Sequence, residues 1–383
     1  MTEFGVPEDQ GMHVQKPITI REVAKQAGVS VATVSRVLNG STTVDPVLAE
    51  RVQVVVARLK YQPSRAARTL AGQGSTLIGL LVTDMQNPFF LDLIRGVEEV
   101  AQHHGYLVVV CNTLENAQKE AKYLEVLAAE PIAGAIVVPT QGQIAGIEHL
   151  RERNIPVVAV DRRVEDRSLD CVIIDNMAAA REAVAHLIAN GYRRIGVLGG
   201  PKSITNTNER VAGYRKALQD GGLPREAALE QRGTLIGAEV GFRLANKLLD
   251  LDPPVDAIFA ANNRLTIGAL RAIHARQKRI PDDIALVGFD EIDWAVPELI
   301  SLTTVLQSAY ELGSTAANRL IQRLQKPDAP RQEIVLQHQL AVGASSRPRV
   351  GNAALASSRS PKASTKKHKE AQPAVAQEVS SDH

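Results

Sequence analysis

Residues 18–40 read ITIREVAKQAGVSVATVSRVLNG. Apolar residues recur at helical spacing on both sides of the triplet Gly28-Val29-Ser30, which predicts one helix from about Thr19 to Gln26 and a second from Val31 to Leu38. Two short helices joined by a turn that contains glycine are typical of the helix–turn–helix, which presents its second helix to the major groove of DNA. The stretch therefore predicts a small all-α headpiece that binds nucleic acid.

Capping residues mark the starts of the predicted helices. Thr19 and Glu22 have the spacing of a capping box at the first helix. Asp45 followed by Pro46 is typical of the N-cap and first position of a third helix, which we expect to run to about Lys60.

The second headpiece helix carries the candidates for contact with DNA bases. Val31 and Ala32 are able to touch thymine methyl groups, and Arg36 is able to make a bidentate contact with guanine. Short polar side chains suit phosphates, which set register rather than specificity, and on the second helix we expect them to be exposed. The phosphate-contact candidates are Thr19, Ser30, Thr33, Ser35 and Asn39.

The charge of the chain is unevenly distributed. Its formal net charge is only +2. Residues 16–74, however, carry nine basic against three acidic side chains, whereas residues 75–343 have a net charge of −5 and residues 344–383 a net charge of +4. A basic excess confined to the ends is expected if a polyanion is bound there.

From Leu77 onward the period of the pattern changes. Apolar runs of four to six residues alternate with amphipathic segments, as expected for parallel strands that are buried on both faces and connected by helices. The number of such units predicts an α/β domain with two doubly wound parallel-sheet lobes. The runs are IGLLV, YLVVVC, GAIVVP, PVVAVD, CVIID, RIGVLGG, AIFAA, IALVGF and EIVLQHQLAV.

The sequence lacks the signals that are typical of several other classes of protein. Cys111 and Cys171 each lie in an apolar run and are predicted to be small core residues. The nine histidines form no metal-ligand cluster and no nucleophile and base stand out, so we expect no metal, no cofactor and no enzyme. No run approaches the roughly 18 apolar residues of a membrane span and no signal peptide is seen, which favours a cytoplasmic protein.

Two alternatives share the α/β pattern. A nucleotide-dependent oxidoreductase needs GxGxxG after its first strand, where this chain has IGLLVTDMQNP. A transport-type binding protein would also have two lobes, but it would carry a signal peptide and no headpiece. Because sheets of this kind host many activities, the headpiece decides in favour of a DNA-binding regulator.

These motifs resemble the lactose-repressor (LacI/GalR) family of bacterial regulators. The resemblance rests on residues 18–40, on VDPVLAERV and on LKYQPSRAARTLAGQGSTLIGLLV, and it extends to about residue 346. It implies a homodimeric repressor that binds a palindromic double-stranded DNA operator. It also implies a sensor domain similar to a periplasmic sugar-binding protein, with a small-molecule effector, a sugar or a sugar acid or phosphate, in the cleft between the lobes.

The resemblance implies a hinge helix that forms only on the operator. In the family, paired hinge helices enter the minor groove and a leucine wedges into the central base step, a position that Leu70 occupies here. Without the resemblance this segment is a basic linker too short for a stable isolated helix. The predicted organisation is a disordered N-terminus (1–15), the headpiece (16–61), the hinge (62–74), the effector-binding and dimerisation domain (75–343) and a disordered basic tail (344–383).

Family motifs also fall at the predicted strand ends, where ligands of open α/β sheets bind. They are NPFF, DR, ER-x-x-G-[FY] and GFDD, the last of which reads GFDE here. Of the two phenylalanines in NPFF we expect one in the core and the other in the cleft. The effector-contact candidates are Phe89, Phe90, Asp161, Arg162, Arg210, Asn262, Asn263, Asp290 and Trp294.

Asn263 departs from the family pattern, because most relatives have aspartate there. An aspartate accepts two hydrogen bonds from vicinal hydroxyls, whereas an asparagine amide both accepts and donates and carries no charge. With Arg162, Arg210 and Arg264 expected nearby, the cleft is predicted to be less acidic than a simple sugar pocket. A carboxylate- or phosphate-bearing effector therefore stays open as an alternative to a neutral sugar.

Overall fold

A computed structural model describes residues 18–41, 43–61, 75–166, 169–292 and 301–348. The chain divides into two compact units. Unit 1 takes the residues up to Asn176 together with Pro201–Glu209 and Leu306–Gln339. Unit 2 takes Met177–Gly200, Arg210–Val305 and the residues from Leu340 onward.

The helices are, in chain order, α1 Ile20–Ala27, α2 Val31–Leu38, α3 Pro46–Leu59, α4 Pro88–His103, α5 Ala117–Ala129, α6 Glu148–Arg151, α7 Asn176–Ala189, α8 Thr205–Asp220, α9 Ala238–Leu249, α10 Asn263–Ala275 and α11 Ala309–Gln325. The strands are β1 Leu77–Val82, β2 Leu107–Asn112, β3 Gly134–Val137, β4 Val157–Val160, β5 Asp170–Ile174, β6 Ile195–Gly199, β7 Glu230–Arg232, β8 Ala257–Ala260, β9 Ala285–Phe289, β10 Thr303–Gln307, β11 Glu333–Leu336 and β12 His338–Ala341. Within the described ranges, none of the helices combines the length and the apolar character that crossing a bilayer requires.

Helices α1, α2 and α3 confirm the predicted headpiece helices. Thr19 and Glu22 form the predicted capping box, in which the Thr19 N–H donates to Glu22 Oε2 at 2.7 Å. Asp45 caps α3 and accepts from the Val47 N–H at 2.9 Å. The three helices bury one small core, which consists of Val23, Ala24, Ala27, Val34, Val52, Val55 and Tyr61.

Two six-stranded sheets follow the headpiece. The sheet of unit 1 has the order β11-β5-β4-β3-β1-β2, and all of its neighbouring strands are parallel. The second sheet has the order β12-β10-β9-β8-β6-β7, in which the strands from β10 to β7 are parallel. The order of β1 to β5 is repeated by β6 to β10, so the prediction of two doubly wound parallel sheets is confirmed.

The nine apolar runs all form strands, and the last run forms both β11 and β12. The expectation of burial on both faces is wrong for β2, because β2 is an edge strand whose Leu107 and Val109 are 54% and 40% exposed. The apolar pattern does not predict β7, which is short and polar, or β10, which begins with two threonines. Cys171 is buried on β5, and this burial raises the pKa of its thiol to about 12, whereas Cys111 on β2 is half-buried.

The start of the predicted disordered tail is ordered. Ala344–Ser346 forms a short 3-10 helix, Ser345 is fully buried, and its hydroxyl donates to the Leu286 carbonyl at 2.6 Å. The prediction for 344–383 is therefore wrong for these first residues, since small serines fill sites that their composition alone does not reveal. Leu70, Trp294, the hinge 62–74 and the terminal stretches 1–15 and 349–383 lie outside the described residues.

Helix α11 follows a strand of the second sheet but belongs to unit 1, where it packs against α4. Two glycines let the two backbones approach each other. A Cβ atom at Gly96 would collide with the carbonyl oxygen of Tyr310, and one at Gly313 would collide with the carbonyl oxygen of Leu93. This crossing covers one face of the unit 1 sheet, with Leu312, Ala316 and Leu320 in the core.

We predict that Gly96→Ser lowers the free energy of unfolding of unit 1 by about 1–3 kcal/mol, because a backbone carbonyl cannot swing aside as a side chain can. Urea titrations followed by circular dichroism measure the effect. Gly237→Ser is the matched control, since no atom lies within 4 Å of a Cβ at Gly237. Equal unfolding midpoints for the two variants would contradict the prediction.

Candidate functional site

The turn between α1 and α2 has the geometry that the sequence predicts. Gly28 has a φ of 65°, in the left-handed region that favours glycine, and it ends α1. The Val29 N–H donates to the Ala24 carbonyl at 3.1 Å. Ser30 then caps α2 by accepting from the Thr33 N–H at 3.1 Å. The turn therefore fixes the start of α2 one residue after Ser30.

The outer side of α2 holds the predicted base-contact residues. Val31 is 41% exposed, and Ala32 and Arg36 are also exposed, whereas Val34 is fully buried. Each of the three side chains can thus reach a partner outside the headpiece.

The predicted phosphate-contact residues differ in their surroundings. Thr19, Ser30 and Asn39 are exposed as predicted, while Thr33 and Ser35 are half-buried, contrary to the expected exposure. Thr33 and Ser35 lie closer to the headpiece core than helical spacing alone indicates. Thr19 and Ser30 also serve as helix caps, so their hydroxyl groups already have local hydrogen bonds.

The two sheets carry an aspartate at equivalent strand ends. Asp161 follows β4 with a φ of 69°, and Asp290 follows β9 with a φ of 67°. In each case the backbone N–H donates to the next strand, to the Val172 carbonyl at 2.9 Å and the Val305 carbonyl at 2.8 Å. Left-handed backbone is costly for a residue other than glycine, so its repetition at both strand ends indicates a shared role.

Arg162 is the centre of the polar cluster in unit 1. Its side chain is 4% exposed, and both of its terminal nitrogens donate to the Glu115 carboxylate, at 2.8 and 2.5 Å. Nη1 also donates to the Pro139 carbonyl at 2.8 Å, and Nε lies 3.5 Å from Asp161 Oδ2. Burial alone would lower the pKa of Arg162, but the charges of Glu115, Asp161 and Glu120 outweigh it and raise the pKa.

Glu120 on α5 completes this cluster and is fully buried. Its carboxylate accepts from the Thr140 N–H at 2.8 Å and from the Ala145 N–H at 3.0 Å, which holds the loop after β3. Burial raises the pKa of Glu120, and the two backbone N–H groups and Arg162 limit that rise. The unit 1 cluster therefore contains three carboxylates around one guanidinium group.

Arg210 is the centre of the corresponding cluster in unit 2. Its guanidinium carbon lies 3.5 Å from the centroid of the Phe289 ring, and Nη1 donates to the Ala261 carbonyl at 2.9 Å. The same nitrogen lies 3.8 Å from Asp290 Oδ2. Stacking and hydrogen bonding fix the plane of this buried cation, which suits it to orient a ligand.

Asn262 and Asn263 lie at the start of α10, directly after β8. The side chains of both accept from the Arg264 N–H, at 2.9 and 2.8 Å. Asn263 is buried and Asn262 is half-buried. The amide N–H₂ group of Asn263 is a donor that an aspartate at this position would lack.

The two phenylalanines of the NPFF motif differ in burial, which confirms the expected core position of one of them, while the cleft position of the other stays a prediction. Phe90 is buried in the core of unit 1, and Phe89 is half-buried against it, with the two rings edge to face at 5.1 Å between centroids. Asn87 caps α4 and accepts from the Phe89 N–H at 3.2 Å. Phe89 is thus the member of the pair that is free to meet a ligand, and Trp294 lies outside the described residues.

Besides Glu120, sequence reasoning missed three polar residues of the unit 1 cluster. Glu115 follows β2, Thr83 follows β1, and Asn206 donates to Asp161 Oδ2 at 3.2 Å. The signal that could have found Glu115 and Thr83 is their position directly beyond strand ends. No local signal points to Asn206, which lies in the first turn of α8.

Known families match both parts of the chain. Residues 75–342 match the family described as periplasmic binding proteins and sugar binding domain of the LacI family. Residues 19–64 match the family described as bacterial regulatory proteins, lacI family.

Individual proteins agree with these family matches. A ribose operon repressor from Halalkalibacterium halodurans is 40% identical over 80% of this chain and 91% of its own length. A lac repressor dimer bound to operator and an anti-inducer has a TM-score of 0.73 and 28% identity, covering 87% of this chain and all of that chain. A LacI-family regulator from Enterococcus faecium with bound ribose has a TM-score of 0.63 and 28% identity, covering 71% of this chain and 99% of its own.

The helix–turn–helix geometry, the paired parallel sheets and the matched families all lead to one assignment. The chain belongs to the LacI family and is a DNA-binding transcription regulator, not an enzyme.

Proposed function

We propose that the protein is a homodimeric repressor that reads a palindromic operator with α2 and responds to a small sugar. The proposed domains are the headpiece (16–61), the hinge (62–74) with Leu70 as its minor-groove wedge, and the effector-binding and dimerisation domain (75–343). Because its target is bacterial DNA, its proposed place of action is the cytoplasm.

The exposed side of α2 supports the proposed role in reading bases. Val31, Ala32 and Arg36 are exposed on a helix whose opposite side is fixed by the headpiece core. A helix of this kind fits the width of the major groove, where an arginine distinguishes guanine from the other bases. Thr19, Ser30, Thr33, Ser35 and Asn39 are the proposed phosphate contacts.

The repeated aspartate–arginine arrangement at strand ends carries the proposal of a sugar effector. Each unit places a buried aspartate beside a buried arginine, Asp161 with Arg162 and Asp290 with Arg210. Within each pair the aspartate can accept a hydrogen bond from a hydroxyl group and the arginine can donate one, as recognition of a polyol requires. The similarity to the ribose operon repressor and to the ribose-bound regulator makes D-ribose the first sugar to test.

The edge strand of unit 1 supports the proposed dimer. Leu107 and Val109 are exposed on β2, which has no neighbouring strand on its outer side among the residues that the structure describes. Exposed apolar residues on an edge strand are a liability unless a partner covers them. The similar lac repressor is a dimer on its operator. Sedimentation equilibrium measures the mass in solution, and a single species at the 41.3 kDa of one chain would contradict the dimer.

We predict that Arg36→Ala removes discrimination of about 1–3 kcal/mol at one base pair of each half-site and leaves weak, salt-sensitive binding to all DNA. Selection from random duplexes supplies the operator, and fluorescence anisotropy on operator and mismatched duplexes measures the loss. Lys25→Ala is the control, since it removes an exposed positive charge from α1 and should weaken all sequences equally. Full specificity in the Arg36 variant would contradict its role in base contact.

We predict that Arg210→Ala raises the Kd for D-ribose by roughly tenfold or more, because a charged donor to the ligand is lost. Calorimetric titration measures this Kd, and affinity for operator without sugar should stay unchanged. Arg215→Ala, on the same helix but paired with Glu230, is the matched control. The assignment of Arg210 fails if both variants bind D-ribose as the unmodified protein does.

A further inference from the structure

The contact between Glu115 and Arg162 is a closed, two-pronged ion pair. Both carboxylate oxygens of Glu115 accept from Arg162, at 2.8 and 2.5 Å, in the fork geometry that is the strongest form of this pairing. The Arg162 side chain is 4% exposed and that of Glu115 is 21% exposed. Glu115 therefore covers the side of Arg162 on which an incoming anion would have to bind.

The backbone around Glu115 is held in an unusual conformation. Leu114 and Glu115 have φ angles of 54° and 55°, two consecutive residues other than glycine in the left-handed region. The preceding Thr113 N–H donates to the Val82 carbonyl at 2.8 Å, and Asn116 directly afterwards caps α5. A strained conformation of this kind persists only where contacts with the surrounding structure hold it in place. Here it directs the Glu115 side chain towards Arg162.

The remaining neighbours of Arg162 leave no excess of positive charge. Nε of Arg162 lies 3.5 Å from Asp161, and the Glu120 carboxylate is fully buried in the same cluster. A carboxylate or phosphate group arriving here would displace Glu115 or face the carboxylates of both Glu115 and Asp161, which is unfavourable at low local dielectric. A hydroxyl group meets no such barrier, because it is uncharged and can donate to the carboxylates that surround Arg162.

We propose that Glu115 is a specificity-determining residue of the effector site, which it restricts to neutral sugars by occupying Arg162 and repelling carboxylate- and phosphate-bearing ligands. The inference rests on the proposed function of these strand-end residues in effector binding. The arginines seen in the sequence leave both a neutral and an anionic effector open, and this inference decides in favour of the neutral one. Specificity of this kind comes from a built-in repulsive group as much as from attractive contacts.

The test is Glu115→Gln, which keeps the shape of the side chain and one acceptor oxygen but removes the negative charge. Calorimetric titrations use D-ribose, D-ribonate and D-ribose 5-phosphate as probes. We expect the unmodified protein to prefer D-ribose, and the variant to gain roughly tenfold or more in affinity for at least one of the two anions. Unchanged anion affinity in the variant, or equal affinity of the unmodified protein for D-ribose and D-ribonate, overturns the proposal.

Two controls separate direct contact from general charge and from a damaged loop. Glu125→Gln removes a carboxylate from α5 that is 54% exposed and paired with Lys122, and it should not change anion affinity. Glu115→Asp keeps the charge on a shorter side chain and should still exclude anions. An equal gain of anion affinity in either control overturns the role of Glu115. Operator binding by each variant shows that the protein is folded.

Failure of the proposed pentose effector is distinguishable from failure of this inference. If the unmodified protein binds no D-ribose, the proposed effector is wrong, and matched pairs of other aldoses and their aldonates replace the three probes. A gain for any aldonate in Glu115→Gln alone then supports the proposal, and no gain across all pairs overturns it.

Discussion

Strands of a parallel sheet all end at the same edge, and this constraint organises the sensor part of the protein. The residues that follow β1, β2, β3 and β4 therefore lie together in unit 1. Thr83 and Arg162, for example, meet there although 79 positions separate them in the sequence. The repeated strand order brings Asp290 and Asn262 to the corresponding edge of the second sheet. Because the interior of the sheet is filled by Val, Ile and Leu, polar side chains collect where the strands end.

The electrostatic character of these edges follows from how each arginine is held. Arg162 is held by carboxylates, whereas Arg210 is held by an aromatic face and a carbonyl group with one carboxylate at 3.8 Å. Counting arginines in the sequence predicts a pocket less acidic than a simple sugar site, but the pairing of each arginine decides the charge that a ligand meets. The headpiece differs, because its basic side chains are spread over exposed surface and suit a polyanion.

Much of the fold could be predicted from the sequence because local signals and burial agree there. The caps at Thr19 and Asp45 and the apolar runs place most helices and strands. Elements that depend on distant partners could not be predicted. The strand β10 and the buried serine Ser345 are defined by contacts with residues far away in the sequence, and nothing in their own neighbourhood signals them. The position of Glu115 after a strand is visible in the sequence, but its pairing with Arg162 is not. Strand-end motifs therefore locate the candidate site, while its charge balance needed the structure.

In the proposed function one chain couples a sugar site to an operator site, and this coupling must be reciprocal. The most direct measurement is a thermodynamic cycle, in which operator affinity is measured with and without saturating D-ribose, and D-ribose affinity with and without operator. We expect both affinities to change by the same factor, about 5–150-fold for a coupling of ordinary size. Operator affinity that is unchanged by saturating sugar would contradict it.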